Sequence, residues 1–249
     1  MIDKRGAWRV VRVVAARLPA GRGAVVTYGV IALCCVVFAV SPASGLNPAY
    51  GTGEQLLTAQ RDYFARWGVI PAELLSGSAR AVVTPVTALF VHGSWLHLLG
   101  NMLFLFVFGV MAEERLGHVR FALFYVGCGV LALCVYALAN ADSTQTLVGA
   151  SGAISAVLGG FLRLLPKARV TSLFPFLFFL PLRFPAWLVL PFWVALQWLA
   201  ARRDAEGPSV AYLAHLAGFA LGFGCAWVLE LRTTRVSTPA TATEGDSQP

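Results

Sequence analysis

Six apolar runs, each close to the length of a membrane-spanning helix, dominate this 249-residue sequence. A helix needs about 20 apolar residues to cross the hydrocarbon core of a bilayer. Charged residues make up 12% of the chain, against about 25% in soluble domains, so a single soluble core could not cover these runs. The sequence therefore predicts an all-α polytopic membrane protein. Its six predicted spans are residues 24–40, 92–112, 119–139, 151–165, 185–201 and 209–231.

The spans divide the chain into three predicted parts. Residues 1–23 form a basic cytoplasmic segment, 24–232 a six-helix domain, and 233–249 a tail rich in Thr and Pro that we expect to be disordered. The run at 24–40 could instead be a cleaved signal peptide, but the basic region before it is long, and we favour a retained first span. Residues 41–91 mix polar and aromatic side chains, which is typical of helices at a membrane interface.

One apolar segment, residues 170–184, does not fit a spanning helix. Pro175 and Pro181 interrupt it, and Pro185 follows it. A broken helix exposed to lipid would leave backbone groups without hydrogen bonds. We therefore predict an interfacial or re-entrant loop here and no seventh span.

The distribution of positive charge supports six spans. With both termini in the cytoplasm, 14 of the 19 Lys and Arg residues fall on inside segments, as the positive-inside rule requires. This placement also accounts for the net charge of +7 without nucleic-acid binding. The five cysteines lie in apolar runs without metal-ligand spacing, so we expect no metal or cofactor. We expect an integral protein of a bacterial plasma membrane.

Polar side chains inside a membrane are costly and usually functional. The second predicted span contains His92, His97 and Asn101, the fourth begins at Ser151, and the sixth contains His215. At 1.5 Å per residue, His97, Ser151 and His215 all lie about 8 Å below the outer surface. The three side chains reach one level only if the chain has six spans.

A serine hydroxyl is a weak nucleophile at neutral pH and needs a neighbouring base. Gly218 and Gly222 share one face of the sixth helix with His215, and small residues let membrane helices pack closely. Such packing against the fourth span would bring Ser151 to the imidazole of His215. A serine in a span rich in Gly and Ala is nevertheless often a packing residue, so this interpretation depends on the whole set of polar groups.

His97 and Asn101 lie four residues apart on one face of the second span. Both can donate hydrogen bonds to an oxyanion, although a histidine or asparagine in a span is often structural. Glu113 and Glu114, next to Arg115, are expected to form a solvated cytoplasmic corner.

Three motifs, in this order, resemble the rhomboid family of intramembrane serine proteases. They are HxxxxHxxxN in "HGSWLHLLGN", GxSG in "GASG", and AHxxGxxxG in "AHLAGFALG". The resemblance extends over roughly residues 67–231 and includes "WGVIPAELLS", "EERLGHVRFALFYVGCG" and "FPAWLVL". It implies a six-helix bundle with a Ser–His dyad that has no acidic third member.

The resemblance also implies a role for each matching residue. Ser151 corresponds to the nucleophile and His215 to the general base and acid. His97 and Asn101 match the oxyanion positions, and His92 matches a supporting histidine. Four glycines match family positions around the serine and in the sixth span, namely Gly149, Gly152, Gly218 and Gly222.

The function implied is that of a serine endopeptidase that cleaves transmembrane helices near the outer leaflet. Its partners would be transmembrane proteins and the lipid bilayer. The Trp-Arg pair of some members is not evident, because Arg66 precedes Trp67 here. Two other functions stay open: an inactive rhomboid relative that binds or traffics membrane proteins, and a small-molecule transporter or channel. A transporter predicts charged residues within spans and often a repeat, and neither is visible.

Overall fold

The computed structural model describes residues 23–174, 180–203 and 212–236. Most of the predicted N-terminal segment and of the predicted tail lies outside these ranges. The exceptions are Gly23, just before the first helix, and residues 233–236, which belong to the last helix. The α-helices of the described ranges are α1 Val25–Val40, α2 Glu54–Trp67, α3 Pro71–Leu75, α4 Thr84–Thr87, α5 Trp95–Phe104, α6 Val110–Leu116, α7 His118–Ala139, α8 Ser151–Leu164, α9 Ala186–Arg203 and α10 Tyr212–Val236. The strands are β1 Arg169–Phe174 and β2 Leu180–Pro185.

Short helical turns complete the described structure. A π-helical turn, Leu105–Gly109, joins α5 to α6. Four 3-10 helices lie between α1 and α5, at Pro42–Ser44, Pro48–Tyr50, Ala81–Val83 and Ala88–Phe90. The segment predicted to lie at the interface is thus built of short helices together with α2, whose described residues are all at least partly exposed.

Each predicted span coincides with a helix, and the predicted all-α class is confirmed. Three helical stretches of the described chain are long and apolar enough to cross a membrane: Trp95–Leu116, His118–Ala139 and Tyr212–Glu230. The other three spans correspond to α1, α8 and α9, which are apolar helices of 16, 14 and 18 residues. The second span begins at Trp95 because the Ser94 side chain caps α5 by accepting a hydrogen bond from the N–H of His97.

The segment predicted to be an interfacial or re-entrant loop contains an antiparallel β-hairpin. The pairing runs from Arg169 with Pro185 to Phe174 with Leu180. A strand ladder satisfies backbone groups that a helix interrupted by prolines would leave unpaired. In the described residues this segment adds no further apolar helix.

The prediction of a solvated corner is wrong for Glu113, whereas Glu114 and Arg115 beside it are exposed. Glu113 is fully buried, and its carboxylate accepts the backbone N–H groups of Val26 and Thr27 at 2.9 and 2.7 Å. The first N–H groups of a helix have no intrahelical partner. The carboxylate provides these missing acceptors at the start of α1.

Helix α8 forms the centre of the fold. All of its residues from Gly152 to Phe161 are buried. It packs closely on α10, because a Cβ added at Gly218 would overlap the carbonyl oxygen of Gly152. A Cβ added at Gly222 would lie 2.6 Å from the Cα of Ala156. This backbone contact brings the first turns of α8 and α10 together, as the small residues predicted.

Candidate active site

A cavity of about 480 Å³ opens where α5, α8, α9 and α10 meet. Ser151 is the first residue of α8, His97 the third of α5, and His215 the fourth of α10 as described. Three separate stretches of chain therefore each place a polar side chain at this cavity. Six of the predicted site residues line the cavity, namely His97, Asn101, Gly149, Ser151, Gly152 and His215.

The loop before α8 depends on Gly149. Its φ of 125° lies in a region that residues with a side chain rarely adopt. A Cβ at this position would also lie 2.7 Å from Nε2 of His97. Gly149 therefore lets the loop pass His97 and start α8 at the cavity. The first N–H groups of α8 have no helical acceptor, so backbone donors are available around Ser151.

His97 and Asn101 supply side-chain donors to the cavity. The N–H of Gly93 donates to Nδ1 of His97 at 3.4 Å, so in the neutral ring the proton resides on Nε2. Nε2 is the atom that lies next to Gly149. One turn further along α5, Nδ2 of Asn101 is buried and has no hydrogen-bond partner in the described part of the chain. Both N–H groups are free to bind an oxygen atom in the cavity.

His215 has the opposite arrangement. Its Nδ1 lies 2.8 Å from Oε1 of Gln197 on α9. With the amide of Gln197 in this orientation, Oε1 accepts the hydrogen bond from Nδ1–H, which leaves Nε2 of the neutral ring unprotonated. The rings of Trp193 and Tyr212 flank the imidazole, with centroids 6.3 and 6.2 Å away. His215 can accept a proton at Nε2, whereas His97 can donate one.

Gln197 and Trp193 line the cavity but were not predicted as site residues. They lie four residues apart, on one face of α9. A glutamine inside an apolar span is itself a signal of function, and this signal was present at residue 197. The sequence could not show that the residue faces His215, because the rotation of α9 about its axis depends on tertiary packing.

Three predicted residues lie outside the cavity lining. His92 is 1% exposed, and its ring centroid lies 5.1 Å from that of His97. Its Nδ1 lies 3.3 Å from the carbonyl oxygen of Phe90, and its supporting role stays a prediction. Gly218 and Gly222 instead form the contact between α8 and α10. Within the described ranges, no group of three His, Cys, Asp or Glu side chains is placed to hold a metal ion.

Comparison with known proteins gives one consistent result. The Rhomboid domain model matches residues 79–232, well over half of the chain. Rhomboid protein 1 of Saccharomyces cerevisiae mitochondria is 30% identical over 151 residues, which are 59% of this chain and 42% of the yeast protein. RHOMBOID-like protein 1 of Arabidopsis thaliana is 31% identical over 147 residues, 59% of this chain and 34% of the relative.

A shorter match has higher identity. The chloroplastic Rhomboid-like protein 11 of Arabidopsis thaliana is 42% identical over 69 residues, 28% of this chain and 24% of the relative. Each of these matches covers less than half of the curated relative's own length.

Proposed function

The chain belongs to the rhomboid family, and on this premise we propose that it is an intramembrane serine endopeptidase. Proteins of this family are integral to membranes, and the described chain has three helical stretches long and apolar enough to span one. Ser151 would be the nucleophile and His215 the general base and acid. His97 and Asn101 would stabilise the oxyanion.

The proposal depends most on one observation: Ser151 shares a cavity with two histidines whose Nδ1 atoms have different partners, a backbone N–H for His97 and an amide oxygen for His215. A general base needs a nitrogen that carries no proton, and in this arrangement the lone pair of Nε2 of His215 is available. An oxyanion site needs a donor, and Nε2 of His97 carries one. A pair of packing histidines would not require this difference.

The proposed reaction is acyl transfer in two steps. Nε2 of His215 takes the hydroxyl proton as Oγ of Ser151 attacks a peptide carbonyl carbon, and the carbonyl oxygen becomes an oxyanion. This oxygen accepts hydrogen bonds from His97, Asn101 and the backbone N–H of Ser151. The C–N bond then breaks, and His215 returns the proton to the leaving amine. Water attacks the acyl-enzyme with His215 as base, which releases the new carboxylic acid and restores Ser151.

The substrate would be a transmembrane helix of another membrane protein. A helix has its backbone fully hydrogen-bonded, so the segment to be cleaved must unwind before its carbonyl can enter the cavity. Small residues at the cleavage site and helix-breaking residues nearby are expected from the family resemblance. We place the cavity toward the outer leaflet of a bacterial plasma membrane with both termini in the cytoplasm, as the distribution of positive charge favours.

The experiment is cleavage of a model transmembrane substrate in liposomes, together with labelling by a fluorophosphonate probe. We expect Ser151→Ala and His215→Asn to abolish both signals while the thermal unfolding temperature stays close to that of wild type. Ser155→Ala is the matched control, since Ser155 lies one turn along α8 and its Oγ donates to the carbonyl oxygen of Ser151 at 2.7 Å. This variant should keep the labelling.

Two outcomes would overturn the assignment. Cleavage that persists in Ser151→Ala would remove the serine from the chemistry. A wild-type protein that binds transmembrane segments but neither cleaves them nor reacts with the probe would instead be an inactive relative with a binding role.

A further inference from the structure

We propose that Gln197 is a positioning residue for His215: its amide oxygen fixes the tautomer in which the imidazole can act as a base. The inference rests on the proposed function, because it assigns the third member of the same proton-transfer system. The sequence and the family resemblance both indicate only two members.

The geometry of the contact carries the inference. Oε1 of Gln197 lies 2.8 Å from Nδ1 of His215. An imidazole without an acceptor at Nδ1 can hold its proton on either nitrogen. In the tautomer with the proton on Nε2, it could not take a proton from the hydroxyl of Ser151. A fixed acceptor at Nδ1 removes this inactive tautomer.

An amide suits this position better than a carboxylate. A buried carboxylate in a membrane costs free energy unless it is paired in both states of the reaction. The amide oxygen accepts the Nδ1–H bond of the neutral ring and also of the imidazolium, without adding a charge. The other titratable side chains that face His215 are His97 from α5 and Tyr212 on its own helix. No Asp, Glu, Lys or Arg lines the cavity in the described residues.

The contact also links the base to a third helix. Ser151 and His215 lie on α8 and α10, which pack backbone to backbone, whereas Gln197 lies on α9. A displacement of α9 from α10 would break the hydrogen bond without separating Ser151 from His215. The orientation of the base therefore depends on the position of α9.

Two substitutions test the role through the pH dependence of kcat/KM. Gln197→Met removes the acceptor at nearly constant volume and should lower kcat by about tenfold or more with little change in KM. The acid limb of the kcat/KM profile of this variant should move to lower pH, because the imidazolium of His215 loses the amide oxygen that stabilises it. Gln197→Glu restores an acceptor and adds negative charge, so its acid limb should move to higher pH. A merely structural role predicts no such opposite shifts.

Leu196→Ala is the matched control, because this neighbouring side chain is 47% exposed on the outside of α9. It should leave both the rate and the pH profile unchanged. Identical pH profiles in wild type, Gln197→Met and Gln197→Glu would overturn the inference.

A second measurement does not depend on activity. The ¹⁵N NMR spectrum of histidine-labelled protein contains four histidines, and the signal of His215 is assigned by its loss in His215→Asn. We expect the Nδ1–H tautomer in wild type and a mixture of tautomers in Gln197→Met. A wild-type His215 protonated on Nε2 would overturn the inference even if the protein is a protease. The expected tautomer in a protein that cannot cleave would leave the inference standing and remove the proposed function.

Discussion

The carboxylate of Glu113 accepts two hydrogen bonds from Thr27, one from its backbone N–H and one from its hydroxyl, both 2.7 Å long. The same carboxylate accepts the N–H of Val26 at 2.9 Å and lies 2.6 Å from Nδ1 of His118. A single buried side chain near the end of α6 thus satisfies the start of α1 and contacts the start of α7. This one group therefore links α6 to the first residues of both α1 and α7.

Glu113→Ala should therefore destabilise the fold. The substitution leaves the buried N–H of Thr27 and the partly buried N–H of Val26 without their acceptor. We expect the free energy of unfolding to fall by about 3 kcal/mol. Thermal or denaturant unfolding in detergent micelles would measure it. Glu114→Ala is the matched control, because the neighbouring carboxylate is exposed, and it should change stability by less than about 0.5 kcal/mol. Equal effects of the two substitutions would show that the hydrogen bonds of Glu113 contribute nothing.

The positions of the spanning helices could be predicted because apolar length is a local property. A run such as residues 119–139 indicates a membrane helix whatever surrounds it, and the structure has α7 over His118–Ala139. The burial of Glu113 could not be predicted in this way. Its carboxylate oxygens accept hydrogen bonds from Val26 and Thr27, which are separated from it by 87 and 86 positions along the chain. The β-hairpin after α8 was also missed, since the sequence excluded a helix there but did not indicate which residues pair.

Helix rise converts sequence position into depth, and on this basis the sequence predicts one level for Ser151, His97 and His215. In the structure all three residues line one cavity. Rotation about a helix axis is different, because packing between helices sets it. The contact between Gln197 and His215 depends on the rotation of both α9 and α10, and no sequence pattern in this chain fixes that.

Gly222→Ala tests the close packing of α8 on α10. A methyl group at this position would overlap the backbone of Ala156, which cannot move as a flexible side chain could. We expect lower thermal stability together with loss of cleavage, because α10 carries His215. Gly224→Ala, on the same helix, adds a methyl group to open space and should be tolerated. If both alanines were tolerated alike, α8 and α10 would not pack as closely as the structure has them.

Gly149→Ala tests the loop that places Ser151. The alanine meets both an unfavourable φ of 125° and Nε2 of His97 at 2.7 Å from its Cβ. We expect cleavage to fall by about 100-fold or more, because the methyl group displaces the donor of His97 from the cavity. Gly77→Ala separates strain from displacement, since Gly77 also has a positive φ, of 78°, but open space around it. This control should lose some stability and keep its activity, and equal loss of activity in both variants would contradict the assigned contact.

Asn101→Ala separates oxyanion binding from structural support. Nδ2 of Asn101 makes no hydrogen bond within the described chain, so its removal should change the unfolding temperature little. We expect kcat to fall by about 100-fold or more while KM stays nearly constant, because the oxyanion loses a donor. Asn140→Ala is expected to show the reverse pattern, because Nδ2 of Asn140 donates to the carbonyl oxygen of Tyr136 at 2.9 Å and the residue does not line the cavity. It should cost about 1 kcal/mol of stability and leave the rate unchanged. If Asn101→Ala lost stability in proportion to its activity, Asn101 would be a structural residue and the oxyanion would depend on His97 and the backbone of α8 alone.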